Sequence, residues 1–274
     1  MIRLNSSLKK QFRAKVSSYH QSLTTFITDE EDFIDKTVNA FKNFRASRGR
    51  QSLRTRSIKI HRKPIVCFPS CSPIFSSKKI CREIGDLLFV YKHFSKGFLD
   101  AHRASLIQAK YTSETRKTWS IETGQFCLMT RWPKFSLVQP ARFSKDYDLR
   151  PNAFTWSTYG LVGPNTTSYP IYFSAARILR IHKRQASSTK HFNLTLRSNP
   201  LPWDFSAGFF SRFVHALIGE NLFSNSPVKT LVDDLYKVVE WTPDPPGEFE
   251  WSNQKSEKEG SFGIIEFVIT EEWE

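Results

Sequence analysis

Residues 41 to 63, FKNFRASRGRQSLRTRSIKIHRK, hold nine Lys and Arg and no Asp or Glu. Cations at this density can neutralise successive phosphates and release their counterions, so the chemistry implied is electrostatic capture of a nucleic-acid backbone. Phe41, Phe44 and His61 stand among the charges and offer rings for base stacking. Further basic groups occur at Lys78, Lys79 and Arg82, and in RILRIHKR at Arg177, Arg180, Lys183 and Arg184. The expected phosphate contacts are Lys42, Arg45, Arg48, Arg50, Arg54, Arg56, Arg62, Lys63, Arg180, Lys183 and Arg184. A nuclear-localisation signal or a merely solvated surface would use the same residue types.

Cys67, Cys71 and Cys81, with His61 before them and His93 after, raise the question of zinc, which takes about four N or S ligands in a tetrahedron. Cys67 and Cys71 suit a knuckle across a Pro turn, but a second pair is missing, and Cys81 and His93 fall about three turns apart on the helix expected there. Buried free thiols are therefore expected, with no metal and no cofactor. Asp146 and Asp148 alternate in FSKDYDLRP, as carboxylates of a metal-dependent nuclease would, yet Lys145 and Arg150 beside them favour a salt-bridged turn. Asp233 and Asp234 fall on the polar face of a helix. Walker, dinucleotide, HExxH and GxSxG patterns are absent, and only 11 Gly are present. The leading expectation is a non-enzymatic protein that binds nucleic acid, RNA or single strands in preference to a specific duplex. The alternative is a peripheral membrane-associated matrix or assembly protein, or a protein-interaction protein, that uses the helix at residues 8 to 23; a metal-dependent nuclease centred on Asp146 and Asp148 is a minor one.

Charge is unevenly placed along the 274 residues. Residues 1 to 110 carry net +14, residues 111 to 230 net +9, and the last 44 residues net −9. A polyanion, whether nucleic acid or an anionic membrane surface, would meet the first two-thirds. The acidic tail interleaves Trp241, Phe249, Trp251, Phe267 and Trp273, which suits docking on a protein partner's basic groove or folding back on the basic body. Basic, Phe-rich and Gly-poor, the chain resembles virus-encoded accessory proteins in composition alone. No apolar run reaches the length of a membrane span and no signal-peptide core stands at the N-terminus. With four Cys, these features predict an intracellular protein of nucleus or cytoplasm, not secreted; the Ser-rich, acid-free residues 1 to 28 also fit a mitochondrial address.

The elements that must hold these residues follow from periodicity. Leu8, Phe12, Val16, Tyr19 and Leu23 share one face of a basic amphipathic helix, which could lie on a membrane or a partner, or pack on the body. Thr28 and Glu31 form a capping box for a second helix with Ile34, Val38 and Phe41 inside. Its last turn opens into the basic stretch, read as a loop that ends in a strand at SIKIH. Ile80, Ile84, Leu87, Leu88, Tyr91, Phe94 or Phe98, His102 and Leu106 keep a helical period from a cap at Ser77, with Gly97 as a break. TWSIE, QFCLMT, FSLV, AFTWSTY, YPIYFS, RILRIH and HFNLTLR read as strands of an antiparallel sheet. Two helices follow, over DFSAGFFSRFVHALIG and over SPVKTLVDDLYKVVEW with Ser226 as cap, and FGIIEFVIT closes the chain as a strand for an exposed sheet edge. Trp132 and Trp203 stand at element ends. The fold class is α+β: N-terminal helices, a central antiparallel β-sheet, C-terminal helices and a terminal β-strand. The organisation is a basic helical region at 1–110 with its basic loop at 41–63, a β-rich core and two helices at 111–242, and an acidic aromatic tail at 243–274.

Overall fold

Six strands lie between residues 45 and 111 of the computed structural model, where the sequence suggested a loop, a strand at SIKIH and then a long helix. The structure describes residues 4–24, 27–60, 63–72, 74–75, 77–114, 118–139, 145–163, 170–182, 189–195, 206–241 and 260–272. Two helices come first, α1 (Ser6–Thr24) and α2 (Glu30–Ala40). Asp29, one residue after the expected cap, starts α2: its Oδ1 accepts the Asp32 N–H at 2.9 Å, and Asp32 Oδ2 accepts the Thr28 N–H in return. The basic stretch is then a β-hairpin, β1 (Arg45–Arg48) and β2 (Gln51–Ile60), turned at Gly49 with φ 57°.

The supposed helix over 77 to 106 is β4 (Lys79–Glu83), β5 (Leu87–Ser95) and β6 (Phe98–Tyr111), preceded by β3 (Ile65–Pro69). Ile80, Ile84, Leu88, Phe94, Phe98, His102 and Leu106 are all even-numbered, so a spacing of four also satisfies the two-residue period of a strand. Tertiary pairing decides between them, because Leu87, Phe89 and Tyr91 fill the opposite face and β5 is buried on both sides. Lys96 (φ 54°) and Gly97 (φ 79°) form the left-handed turn between β5 and β6, a position glycine adopts without steric cost.

Beyond residue 111 the order is β7 (Thr118–Glu122), α3 (Thr123–Arg131), β8 (Phe135–Gln139), β9 (Lys145–Tyr147), β10 (Ser157–Val162), β11 (Ile171–Ser174), α4 (Ala175–His182), β12 (His191–Thr195), α5 (Ser206–Val214), β13 (Glu220–Asn221), α6 (Ser226–Trp241) and β14 (Phe262–Glu271). QFCLMT and RILRIH, read as strands, lie in α3 and α4; short apolar runs do not distinguish the two states. Glu122 caps α3 by accepting the Gln125 N–H at 2.6 Å. Helix α5 ends at Val214, because Ala216 takes a left-handed φ of 55°, and Leu217 is left exposed; Phe205 lies outside the described residues. Asn225, not Ser226, caps α6, accepting the Val228 N–H at 3.2 Å.

The fold is α+β, built on an eight-stranded sheet in the order β1-β2-β14-β5-β6-β10-β11, with β13 added to β6. β14 and β5 run parallel, as do β6 and β10, so the sheet is mixed rather than purely antiparallel. The closing strand is central, paired with β2 on one side and β5 on the other, instead of lying at an edge. Strands from all three sequence segments thus share one sheet.

On one face pack α1, α2 and α5. Leu8, Phe12, Val16, Tyr19 and Leu23 join Phe41, Phe89, Tyr172, Phe209, Phe210, Phe213 and Phe267 in one aromatic-rich core. Each such side chain contributes roughly 1.5–3 kcal/mol of burial. The other face carries the sheet β4-β3-β8-β9, the pair β12-β7, and α3, α4 and α6. Gly263 on β14 permits close approach of α2, since a Cβ there would lie 2.7 Å from both Leu87 Cδ2 and Val38 Cγ2. No described helix is long and apolar enough to cross a membrane.

Candidate active site

Asp86 stands immediately before β5 with no exposed surface. It sits where β2, β6 and β10 end and β5 and β14 begin, at the carboxyl end of the parallel pair β6 and β10, the edge at which open sheets gather ligand sites. Backbone bonds fix it there: its N–H donates to Ile107 O at 2.9 Å and its carbonyl accepts from Gly263 N at 2.9 Å. Asp86 Oδ2 accepts from Ala109 N at 2.6 Å and from Gln108 Nε2. Oδ1 accepts no well-aligned hydrogen bond but lies 2.7 Å from Lys63 Nζ.

Gln108 and Lys110 alternate on β6 and so leave the strand on the same side. Gln108 is buried, and its Oε1 accepts from Gln125 Nε2 on α3. Lys110 Nζ spans both oxygens of Glu30, at 3.0 and 3.2 Å. Glu30 is the first residue of α2, and its Oε1 also accepts the Tyr111 N–H at 3.4 Å. Burial pushes the Glu30 carboxyl above its ordinary value, against the pull of Lys110, and the nearby Asp86 charge pushes it the same way. Lys63 joins Asp86 to Glu83, 3.0 Å away; burial disfavours its charge, but the two carboxylates outweigh that and raise it above the usual lysine value. Tyr159 on β10 stands directly opposite Gln108, fully buried, and its hydroxyl has no hydrogen-bond partner among the described residues. Burial drives its phenol well above the ordinary range, and the charges of Glu122, Asp86 and Glu30 add to the effect.

The arrangement gathers three carboxylates, two amides, two ammonium groups and a buried phenol at one end of the main sheet. Among the described residues no three His, Cys, Asp or Glu converge as a metal cage. A hard divalent cation asks for less: magnesium is usually held by one or two carboxylates and keeps several waters. The carboxylates of the group are Asp86, engaged by Ala109 N, Gln108 Nε2 and Lys63, and Glu30, engaged by Lys110, so a cation would have to displace Lys63 or Lys110 to reach them. All these donors are oxygen, which suits magnesium or manganese rather than zinc.

This group escapes sequence reasoning because its members lie at 30, 63, 86, 108, 110, 125 and 159. The signal that could have found it is short: Gly85-Asp86 ahead of an apolar strand, then a Gln-x-Lys alternation at the end of the next strand.

The predicted phosphate contacts fall into separate places. Lys42, Arg45, Arg48, Arg50, Arg54 and Arg56 are exposed on or beside the β1–β2 hairpin, and the expected loop is therefore an ordered edge of the sheet. Lys63 is buried in the ion pairs just described, not open to solvent. Arg180 lies on α4, stacked over the Phe154 ring at 4.7 Å, next to the edge opposite β1. Arg177 stacks over Phe173, and Arg82 is bound by Glu122 in a two-pronged pair at 2.8 and 2.9 Å. Arg62, Lys183, Arg184, His61 and Trp203 lie outside the described residues.

Leu8, Phe12, Val16 and Tyr19, proposed for a membrane or partner, are all buried inside the protein. Asp148 lies beyond β9, and Arg150, hydrogen-bonded at 3.2 and 3.3 Å, holds it below the usual carboxylate range with help from Lys134. Asp146 is exposed at that edge, so Asp148 with Arg150 and Lys134 makes the salt-bridged turn, while Lys145 pairs with Asp234 instead. Asp234 is bonded by Tyr147, Lys145 and Lys237, and Asp233 by Lys229. Trp132 is buried, donating to Ser157 Oγ at 2.6 Å.

All four cysteines are disulfide-bonded, in place of the free thiols expected: Cys67 with Cys81, facing each other across β3 and β4, and Cys71 with Cys127. The pairing escapes the sequence because Cys81 is on a strand and not a helix, and because Cys127 is 56 residues from Cys71. No protein-family model matches this chain, and neither the curated proteins nor the solved structures hold a significant match to it.

Proposed function

We propose that the protein is a divalent-metal-dependent nuclease whose active site is formed by Glu30, Asp86, Gln108 and Lys110. The observation that carries this reading is the fully buried Asp86 at the end of the main sheet, beside the same-face pair Gln108 and Lys110. Taking charges out of water costs several kcal/mol each, and a buried ion pair rarely returns a net gain in stability, so a role in chemistry accounts for it better than a role in folding. A divalent cation held by these oxygens would polarise a phosphoryl oxygen and ease deprotonation of an attacking water. Lys110, paired with the more exposed Glu30, would stabilise negative charge developing on the phosphate. The net charge of +14 favours a polyanionic substrate over a neutral one.

The test is hydrolysis of single- and double-stranded DNA and RNA with Mg²⁺ or Mn²⁺, against the same reaction in EDTA. Asp86→Asn and Lys110→Ala should each lower the rate by about 100-fold or more, the scale on which loss of one charge-stabilising group is felt. Glu30→Gln, at a partly exposed position, serves if Asp86→Asn fails to fold. If no substrate is cut faster by the metal-supplied wild type than by correctly folded Lys110→Ala, the reading is wrong.

A further inference from the structure

The arginines of the β1–β2 hairpin take no part in the cluster at Asp86. β2 alternates between the two faces of the sheet. Leu53, Thr55, Ser57 and Lys59 turn toward α2, where Lys59 pairs with Glu31 and Asp35. Arg54 and Arg56 turn the other way, toward the face of α6. Arg45 lies directly opposite Arg54 in the hairpin and shares that face.

All three are exposed, and none has an ion-paired carboxylate among the described residues. Glu266, opposite Arg56 on β14, is already taken by Lys92 at 2.6 Å and by the Tyr236 hydroxyl at 3.3 Å. Like charges directly opposite each other weaken a sheet, so the Arg45–Arg54 pair costs stability unless an anion lies across it. Charged residues do protect the edges of sheets from pairing with other chains, and Arg45 on the outermost strand could serve that end. Arg54 and Arg56 do not, because β2 has ladder partners on both sides, β1 and β14.

We infer that Arg45, Arg54 and Arg56 form an anchoring ridge for the backbone of a nucleic acid, separate from the site that cuts it. Arg54 and Arg56 are about 7 Å apart along the strand, with Arg45 about 5 Å across from Arg54. That row meets adjacent phosphates without reading bases. Arg54 is six residues from the end of β2 and three strands across from β6, a separation of about 25 Å from the catalytic cluster. At 3.4 Å per base pair this is about seven base pairs of duplex. The spacing, though not the ridge itself, rests on the nuclease reading.

Two measurements test the ridge, the first without catalysis. In EDTA, binding of a labelled 30-base-pair DNA and a labelled RNA strand of about 30 nucleotides is measured against salt, with vesicles containing phosphatidylserine as a second polyanion. Arg45→Ala/Arg54→Ala/Arg56→Ala should reduce the slope of log K on log salt for duplex by about 2 to 3, at about 0.9 for each phosphate no longer neutralised. Lys9→Ala/Arg13→Ala/Arg48→Ala, which removes the same charge from the opposite face, should leave most of that slope. Equal reductions in the two variants, an unchanged slope in the first, or a reduction confined to vesicles would overturn the inference.

In the second measurement, with metal, the first triple variant should raise KM about tenfold or more on the long duplex and leave kcat alone. Cleavage of oligonucleotides of about five residues, too short to span both places, should be unchanged. A ridge with no role in cutting would show the binding effect but no dependence on length, which would overturn the spacing. Absence of hydrolysis of any length by the wild type counts against the nuclease reading alone.

Discussion

A histidine whose ring nitrogens lack hydrogen bonds shows how far its surroundings can move a residue's chemistry. His102 on β6 is nearly inaccessible, its two ring nitrogens have no hydrogen bond among the described residues, and burial pushes its pKa down to about 4. Lys92 on β5 and Lys229 on α6 push in the same direction, while Asp233 on α6 and Glu266 on β14 oppose them. The unfolded chain takes up a proton here near pH 6.5 and the folded one does not until about 4, so stability falls as pH drops through that interval. His102→Leu should flatten the fall between pH 7 and 5 in urea unfolding; an equal fall in both proteins would place its cause elsewhere. Glu30 moves the other way: burial raises its carboxyl above the ordinary glutamate value, against the pull of Lys110.

At the scale of elements, periodicity was legible where only one state satisfied it. The stripe at 8, 12, 16, 19 and 23 mixes odd and even positions, which no strand can place on one face, and α1 is a helix buried along that stripe. In the series from 80 to 106 the even-numbered members fit both states, and Leu87 and Tyr91 fit a strand buried on both faces. Only strand pairing, through β14 on one side of β5 and β6 on the other, settled it. The packing of α2 on the sheet offers a direct test. Gly263→Ala puts a methyl carbon within 2.7 Å of Leu87 and Val38, and overpacking of this kind costs about 1–3 kcal/mol. A shift of that size in the denaturant midpoint is expected; no shift would mean that α2 does not lie this close.

For the whole molecule the deciding event is insertion of β14 between β2 and β5, strands more than 160 residues earlier in sequence. A chain ending at residue 260 would leave both strands with open ladders and remove Ile264, Ile265, Phe267 and Ile269 from the cores. Such a truncation should be unfolded by circular dichroism, and a cooperative transition surviving it would contradict the central position of β14. Composition and local pattern by themselves determined the excess of positive charge, the α+β class, α1, α2, α6 and several strands, because these depend on neighbours a few residues apart. The cluster at Asp86, the two disulfides and the two faces of the arginine hairpin were decided only by tertiary structure. Each depends on strand order and register, which bring together residues such as Glu30, Asp86 and Lys110 whose separation along the chain carries no local signal.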